Sequence, residues 1–130
     1  MESDVKFHHA SCPLVRGLCL AAAVVLVFQL FYLGARPEAA GLIPAPWDKL
    51  AHFAVYSAIT VLLWIGTEGR MPLAVVAVVV TIGALDELHQ SGLPGRVGDV
   101  WDFLADACAG TGTAYALLLL HGAGGPRRAR

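Results

Sequence analysis

Long apolar stretches alternate with short polar segments along this chain. The four stretches cover residues 17–34, 47–66, 71–90 and 99–122. Each is close to the ~20 residues that cross a bilayer as a helix. The third stretch is rich in valine, as buried strands often are, but its length favours a helix. The pattern predicts an all-α, polytopic membrane protein: a bundle of four transmembrane helices.

Composition supports lipid rather than water as the solvent of these helices. Of the 130 residues, 57% are hydrophobic and only 15% are charged, whereas soluble domains carry about 25% charged residues. The formal net charge of -1 gives no indication of nucleic-acid binding, and we expect no nucleic-acid partner. The three cysteines lack the spacing of a disulfide framework or a structural zinc site.

The first stretch has one feature of a secretory signal, because Arg16 precedes it. Its apolar part is longer than the ~7–15 residues of a signal core, and residues 33–35 make a poor cleavage site. We therefore expect an uncleaved helix, an N-terminal tail at 1–16 and a basic C-terminal tail at 123–130.

The distribution of Lys and Arg predicts a multi-pass protein of the cell membrane with both termini in the cytoplasm. That orientation puts six of the nine basic residues inside. They are Lys6, Arg16, Arg70, Arg127, Arg128 and Arg130. The connections at 36–46 and 91–98 would then face outward.

Half of the ten acidic residues fall between Leu85 and Asp106. From Pro72 to Leu85 the third stretch has fourteen residues, or roughly 21 Å of helix at 1.5 Å per residue. The hydrocarbon core is ~30 Å thick, so the first carboxylates should lie inside the outer leaflet. Ionisable groups at that depth face the bundle interior or a wet cavity, and they pair with one another.

Helical spacing places the polar residues of each span on one face. The aligned sets are Lys49, His52 and Tyr56, then Glu87 and Gln90, then Asp99, Asp102 and Asp106. Lys49 and Arg96 are the available positive partners for the carboxylates. His52 and His89 add titratable groups. We predict a water-accessible pocket that opens outward and is walled by the second, third and fourth helices.

The connection SGLPGRVGD, residues 91–99, has the glycines and proline of a tight turn. Such a turn would place Arg96 over the carboxylates. Asp99 is a natural N-cap for the fourth helix, and Asp102 occupies the capping-box position. Capping and pocket roles both stay open for these two residues.

A metal centre is not expected from the sequence, and neither is a cofactor. His52, Glu87 and His89 are suitable ligand types, but His89 lies two positions from Glu87 and therefore points to another helix face. Nucleophilic catalysis is not indicated, because Ser57 and Ser91 lack the GxSxG elbow.

Three segments resemble the VanZ-like family of small membrane proteins. They are DKLAHFAVY at 48–56, DELHQ at 86–90 and PGRVGDVWDFLADACAG at 94–110. Family members show Asp-Lys-x-x-His, then Glu-x-x-Gln, then Pro-Gly-Arg leading to Asp-x-x-x-Asn-x-x-x-Gly. The resemblance covers about 46–122, and Asp106 stands where the family usually has Asn.

The resemblance implies a multi-pass bacterial membrane protein, whose named relative is associated with low-level teicoplanin resistance. The predicted ligand-binding residues are Asp48, Lys49, His52, Glu87, Gln90, Arg96, Asp102 and Asp106. The expected partners are membrane lipid and an anionic or glycosylated envelope ligand. Two alternatives stay open: a membrane hydrolase of lipid phosphates with His52 as acid or base, and a structural polar network that serves a partner protein.

Overall fold

The computed structural model describes residues 12–39, 41–96 and 98–123. Its four long helices are α1 (Pro13–Gly34), α2 (Trp47–Gly66), α3 (Pro72–Ser91) and α4 (Val100–Ala123). A short 3-10 turn follows α1, and no strand occurs in the described ranges. Each helix is long and apolar enough to cross a membrane, which confirms the all-α bundle.

The first helix begins four residues earlier than the apolar pattern predicted, at Pro13 rather than residue 17. Proline suits a first helical turn because its missing N–H has no partner there in any case. Arg16 therefore belongs to α1, and its guanidinium lies 3.5 Å from Glu68 just beyond α2. Residues 1–11 and 124–130, which hold most of the two predicted tails, lie outside the described residues.

Consecutive helices run antiparallel, so α2 and α4 run parallel. Lys49 near the start of α2 contacts Asp102 near the start of α4. Further along, Thr113 Oγ1 donates to Ser57 Oγ at 3.0 Å. The bundle therefore has one end where α2 and α4 begin and α1 and α3 finish.

The buried core is small and lies among α2, α3 and α4. It comprises Tyr56, Ile59, Val75, Val79 and Ala109. Most large apolar side chains point away from it: Leu73 is 84% exposed and Val24 is 69% exposed. In water, apolar surface costs about 25 cal/mol per Å². Surrounding lipid removes that cost, in keeping with a bundle that spans a membrane.

Helices α3 and α4 approach closely at Gly110. A Cβ added there would lie 2.6 Å from Val79 Cγ1 and 3.6 Å from Thr60 Oγ1. A Cβ added at Gly112, two positions further along α4, would have no atom within 4 Å. Small residues let membrane helices come together, and here Gly110 alone of the two has that role.

Gly110→Val should destabilise the bundle, whereas Gly112→Val should leave it nearly unchanged. The first substitution forces a branched side chain against Val79, and such overpacking costs typically 1–3 kcal/mol. Thermal unfolding in detergent, followed by circular dichroism, would show a lower midpoint for Gly110→Val only. Equal loss in both variants would contradict the close contact, because helix propensity changes in the same way at both positions.

Candidate functional site

A ladder of polar contacts joins α2 to α4 at the end where both helices begin. Lys49 Nζ donates to Asp102 Oδ1 at 2.7 Å and to Asp99 Oδ2 at 3.2 Å. One turn further into the bundle, His52 Nδ1 lies 3.0 Å from Asp106 Oδ1. The two faces predicted from helical spacing therefore pair with each other, and we call these contacts the α2–α4 ladder.

Lys49 is surrounded by carboxylates. Its Nζ donates hydrogen bonds to Asp99 and Asp102, and Asp48 Oδ2 lies 3.6 Å away, an ion-pair distance that is too long for a hydrogen bond. One ammonium group offsets a single negative charge, so it balances only part of the charge of three carboxylates. Lys49 is therefore engaged by these carboxylates and does not line the pocket described below.

The start of α4 is capped by two residues from different helices. Asp99 Oδ1 accepts the Trp101 N–H at 2.9 Å, as the N-cap prediction requires. This hydrogen bond, with Lys49 as a second cause, holds the pKa of Asp99 below its usual value. The Asp99 N–H donates to Glu87 Oε2 at 2.7 Å. Glu87 thus replaces Asp102 in the capping-box role, because Asp102 turns towards Lys49.

A relay of hydrogen bonds positions Arg96. Gln90 Nε2 donates to Asp86 Oδ2 at 3.0 Å, and Arg96 donates to Gln90 Oε1 at 3.0 Å. Gly95 turns the chain beforehand with a φ of 76°, which glycine adopts without strain. Among the described residues no carboxylate pairs with Arg96. The prediction that Arg96 pairs with the acidic cluster is therefore wrong: the Gln90 amide stands between them.

A cavity of about 610 Å³ opens beside these groups. Its apolar wall includes Leu26, Leu30, Leu33, Leu42, Ile43 and Val55. Its polar wall is formed by Asp48, His52, Gln90, Arg96 and Asp102, and α1 adds the amide of Gln29 to the lining. The cavity, called the pocket below, therefore has one face suited to hydrocarbon and one suited to a polar group.

The walls of the pocket differ from those predicted. Much of the apolar wall comes from α1 and residues 41–45, while α3 supplies Gln90 and α4 supplies Asp102. Three predicted ligand-binding residues, Lys49, Glu87 and Asp106, are absent from its lining. Lys49 instead contacts Asp99 and Asp102, Asp106 contacts His52, and Glu87 accepts the backbone N–H of Asp99.

Buried oxygen atoms without partners collect behind the polar wall. Asp86 and Asp106 are fully buried. Within the described residues, Asp86 Oδ1, Asp106 Oδ2, Glu87 Oε1 and the Tyr56 hydroxyl have no hydrogen-bond partner. The ring of Tyr56 stacks on His52 at 6.2 Å between centroids, so its hydroxyl belongs to this cluster. Helical spacing predicted Tyr56 on the same face of α2 as Lys49 and His52, and its ring does lie beside His52.

The structure brings His52 of α2 together with two adjacent carboxylates of α3. Potential ligand atoms of His52, Asp86 and Glu87 all lie within 4.8 Å of one another. The sequence compared Glu87 with His89, which instead packs against Phe31 with ring centroids 5.5 Å apart. The helix carrying His52 supplies the partner that local spacing on α3 could not reveal.

All three segments that resemble the VanZ-like family meet at this end of the bundle. His52 contacts Asp106, Gln90 contacts Arg96, and Glu87 caps the turn before α4. No family model, curated protein or solved structure matches this chain. The resemblance stays a prediction that rests on the three segments themselves.

Asp106→Asn should keep the fold, whereas Asp106→Ala should lose stability. Asparagine retains an oxygen to accept the His52 Nδ1–H, but alanine leaves that donor buried without a partner. An unsatisfied buried group costs about 1–3 kcal/mol. Thermal unfolding in detergent measures the difference, and equal destabilisation by both substitutions would show that the His52 contact does not stabilise the bundle.

Proposed function

We propose that this chain is a VanZ-like protein of the cell membrane whose pocket binds an anionic amphiphile of the cell envelope. The ligand would be an envelope lipid or a glycopeptide-type molecule, in a role like that associated with teicoplanin resistance. One observation carries the proposal: Arg96, without a carboxylate partner in the described residues, borders a cavity with an apolar wall.

Arg96 supplies the recognition of an anionic headgroup. A guanidinium presents five N–H donors in a fixed plane that matches phosphate and carboxylate oxygens. The Gln90 amide oxygen accepts a hydrogen bond from Arg96 Nη1 and so fixes the orientation of the guanidinium. The carboxylates of Asp48 and Asp102 also line the pocket. Lys49 lies 3.6 and 2.7 Å from them and offsets part of their charge.

The apolar wall supplies the site for a hydrocarbon chain. Ligand pockets typically measure about 300–1,000 Å³, and this cavity of about 610 Å³ falls within that range. Leucines of α1, among them Leu26 and Leu30, face the cavity on the side opposite the ladder. An amphiphile would place its chain along α1 and its charge at Arg96.

A hydrolase of lipid phosphates is the second candidate, and a specific contact favours it. His52 lines the pocket and its Nδ1 lies 3.0 Å from Asp106. A carboxylate that orients an imidazole is a common arrangement for general acid–base catalysis. Release of inorganic phosphate by the wild type, lost in His52→Gln with ligand still bound, would establish hydrolysis over binding alone.

Arg96→Gln should weaken binding of an anionic amphiphile about 10- to 100-fold, because a hydrogen bond to a charged group contributes roughly 1.5–3 kcal/mol. Arg36→Gln is the matched control. Arg36 lies at the same end of the bundle but is exposed. Its guanidinium packs over the Tyr32 ring, and its Nη2 donates to the Tyr32 hydroxyl at 2.7 Å. Short-chain phosphatidylglycerol and teicoplanin would be titrated separately into the purified protein, with phosphatidylcholine as the zwitterionic comparison.

A second pair of variants in the same titration tests the apolar wall. Ala51→Phe fills the pocket, whereas Ala54→Phe adds the same bulk on an exposed face of α2. Loss of affinity in Ala51→Phe and Arg96→Gln alone supports the proposal for whichever ligand binds. Equal affinity in all four variants, or no saturable binding of either ligand, would overturn it.

We also propose that the pocket opens on the outer face of the membrane, because the basic residues favour cytoplasmic termini. In a chain without its three native cysteines, Glu38→Cys in intact cells should react with a membrane-impermeant maleimide. Met71→Cys, at the opposite end before α3, should react only after the cells are permeabilised. Both side chains are exposed. The reverse labelling pattern would place the pocket on the cytoplasmic face.

A further inference from the structure

Negative charge accumulates behind the polar wall of the pocket. Asp86, Glu87 and Asp106 lie near His52, while Lys49 on the same helix as His52 is engaged by other carboxylates. Ionisable groups within membrane spans pair with one another or face a wet cavity. His52 and His89, which lies three positions after Asp86, do not match three carboxyl groups, so protons or a bound cation must neutralise the remaining charge.

Buried carboxyl oxygen atoms without hydrogen-bond partners indicate where a cation could bind. Asp86 is fully buried, and while its Oδ2 accepts from Gln90, its Oδ1 has no partner in the described chain. Glu87 Oε1 is unpartnered in the same way, although Oε2 caps α4. A buried polar atom left without a partner costs about 1–3 kcal/mol. A cation between these two oxygen atoms would satisfy both.

The spacing of the three groups suits a small metal ion. Their ligand atoms lie within 4.8 Å of one another, and ligands bound to zinc at ~2.1 Å lie about 3.5 Å apart. Binding would therefore require the side chains to move closer together than they lie here. The donor set, one imidazole and two carboxylates, is one that zinc accepts.

The contact between His52 and Asp106 orients the imidazole as a metal ligand. Histidine ligands commonly donate their second ring N–H to a carboxylate, which fixes the tautomer and raises ligand basicity. Here Nδ1 is engaged by Asp106 at 3.0 Å, and Nε2 is left to bind the ion. Asp106 therefore has a positioning role beside the three direct ligands.

We propose that His52, Asp86 and Glu87 bind one divalent transition-metal ion, such as Zn²⁺, behind the polar wall of the pocket. Three protein ligands leave a coordination position open for water or for a ligand oxygen. His52 also lines the pocket, so that open position lies next to it. The inference goes beyond the proposed function and holds whether or not the pocket binds an amphiphile.

Zn²⁺ titration of the chelator-treated, purified full chain tests the site, with no lipid ligand added. Every sample carries His8→Gln and His9→Gln, because two adjacent histidines in the N-terminal tail can bind zinc by themselves. Isothermal titration calorimetry should show one saturable Zn²⁺ per chain. Zinc should also raise the thermal unfolding midpoint, since an ion that binds only the folded state stabilises it.

Glu87→Gln should weaken zinc binding at least tenfold while its remaining oxygen keeps the cap on α4. Asp106→Asn should weaken it about 10- to 100-fold, as loss of a carboxylate behind a histidine ligand does. The matched control is Glu38→Gln, the same chemical change at an exposed position outside the cluster, and it should leave affinity unchanged. Circular dichroism would verify the fold of each variant.

Two outcomes would overturn the proposal: no saturable zinc binding, or equal affinity in Glu87→Gln and Glu38→Gln. Protons rather than a metal would then neutralise the cluster. Arg96→Gln separates this site from the proposed function, because it should weaken amphiphile binding about 10- to 100-fold and leave zinc affinity unchanged. Failure of one site therefore leaves the other open to its own test.

Discussion

Pairing of ionic groups at one end of the bundle is the constraint on which the rest of the structure depends. Lys49 can remain charged between two membrane-spanning helices because Asp102 and Asp99 lie within 3.2 Å of it. That pairing fixes the register of α2 against α4, and the register then sets His52 against Asp106. A shift of either helix by one turn would break both contacts together. The α2–α4 ladder therefore fixes the polar wall of the pocket before any ligand arrives.

The apolar wall has a different physical origin. Helix α1 packs on the edge of the core through residues such as Leu26 and Leu30, while side chains such as Val24 point outward. No ion pair joins residues 17–34 of α1 to α2. Contacts between the two helices include the ion pair of Arg16 with Glu68, just beyond α2, and the close packing of Leu20 on Gly66. The pocket therefore lies between a polar centre held by charge and a helix held by packing, which suits a ligand with one polar and one apolar part.

Much of this site could be predicted from spacing along each helix, but contacts between helices could not. The i, i+3, i+7 sets gave the faces that form the ladder, and Asp99 was recognised as a cap. Helix α1 carries one polar amide within its apolar length, Gln29, which lines the pocket with Leu26 and Leu33. Its i, i+3 and i+4 spacing from these leucines marks the pocket-facing side, a signal that the sequence-based prediction left unused. Asp86 and Glu87 are adjacent and point in different directions on α3. Both carboxylates nevertheless lie near His52, and the position of His52 on another helix could not be predicted from spacing along α3.

Asp86 connects the two proposed sites through its two oxygen atoms. Oδ2 accepts from Gln90, which in turn accepts from Arg96, while Oδ1 has no hydrogen-bond partner among the described residues. A metal ion bound at Oδ1 would draw electron density from the carboxylate but leave the relay geometrically intact, since Oδ2 remains free to accept. Such an ion would also occupy His52 Nε2, so His52 could no longer act as a general base. Held by His52, Asp86 and Glu87, the ion would supply Lewis-acid chemistry at this place in the bundle, while Arg96 would bind the phosphate group from the pocket side.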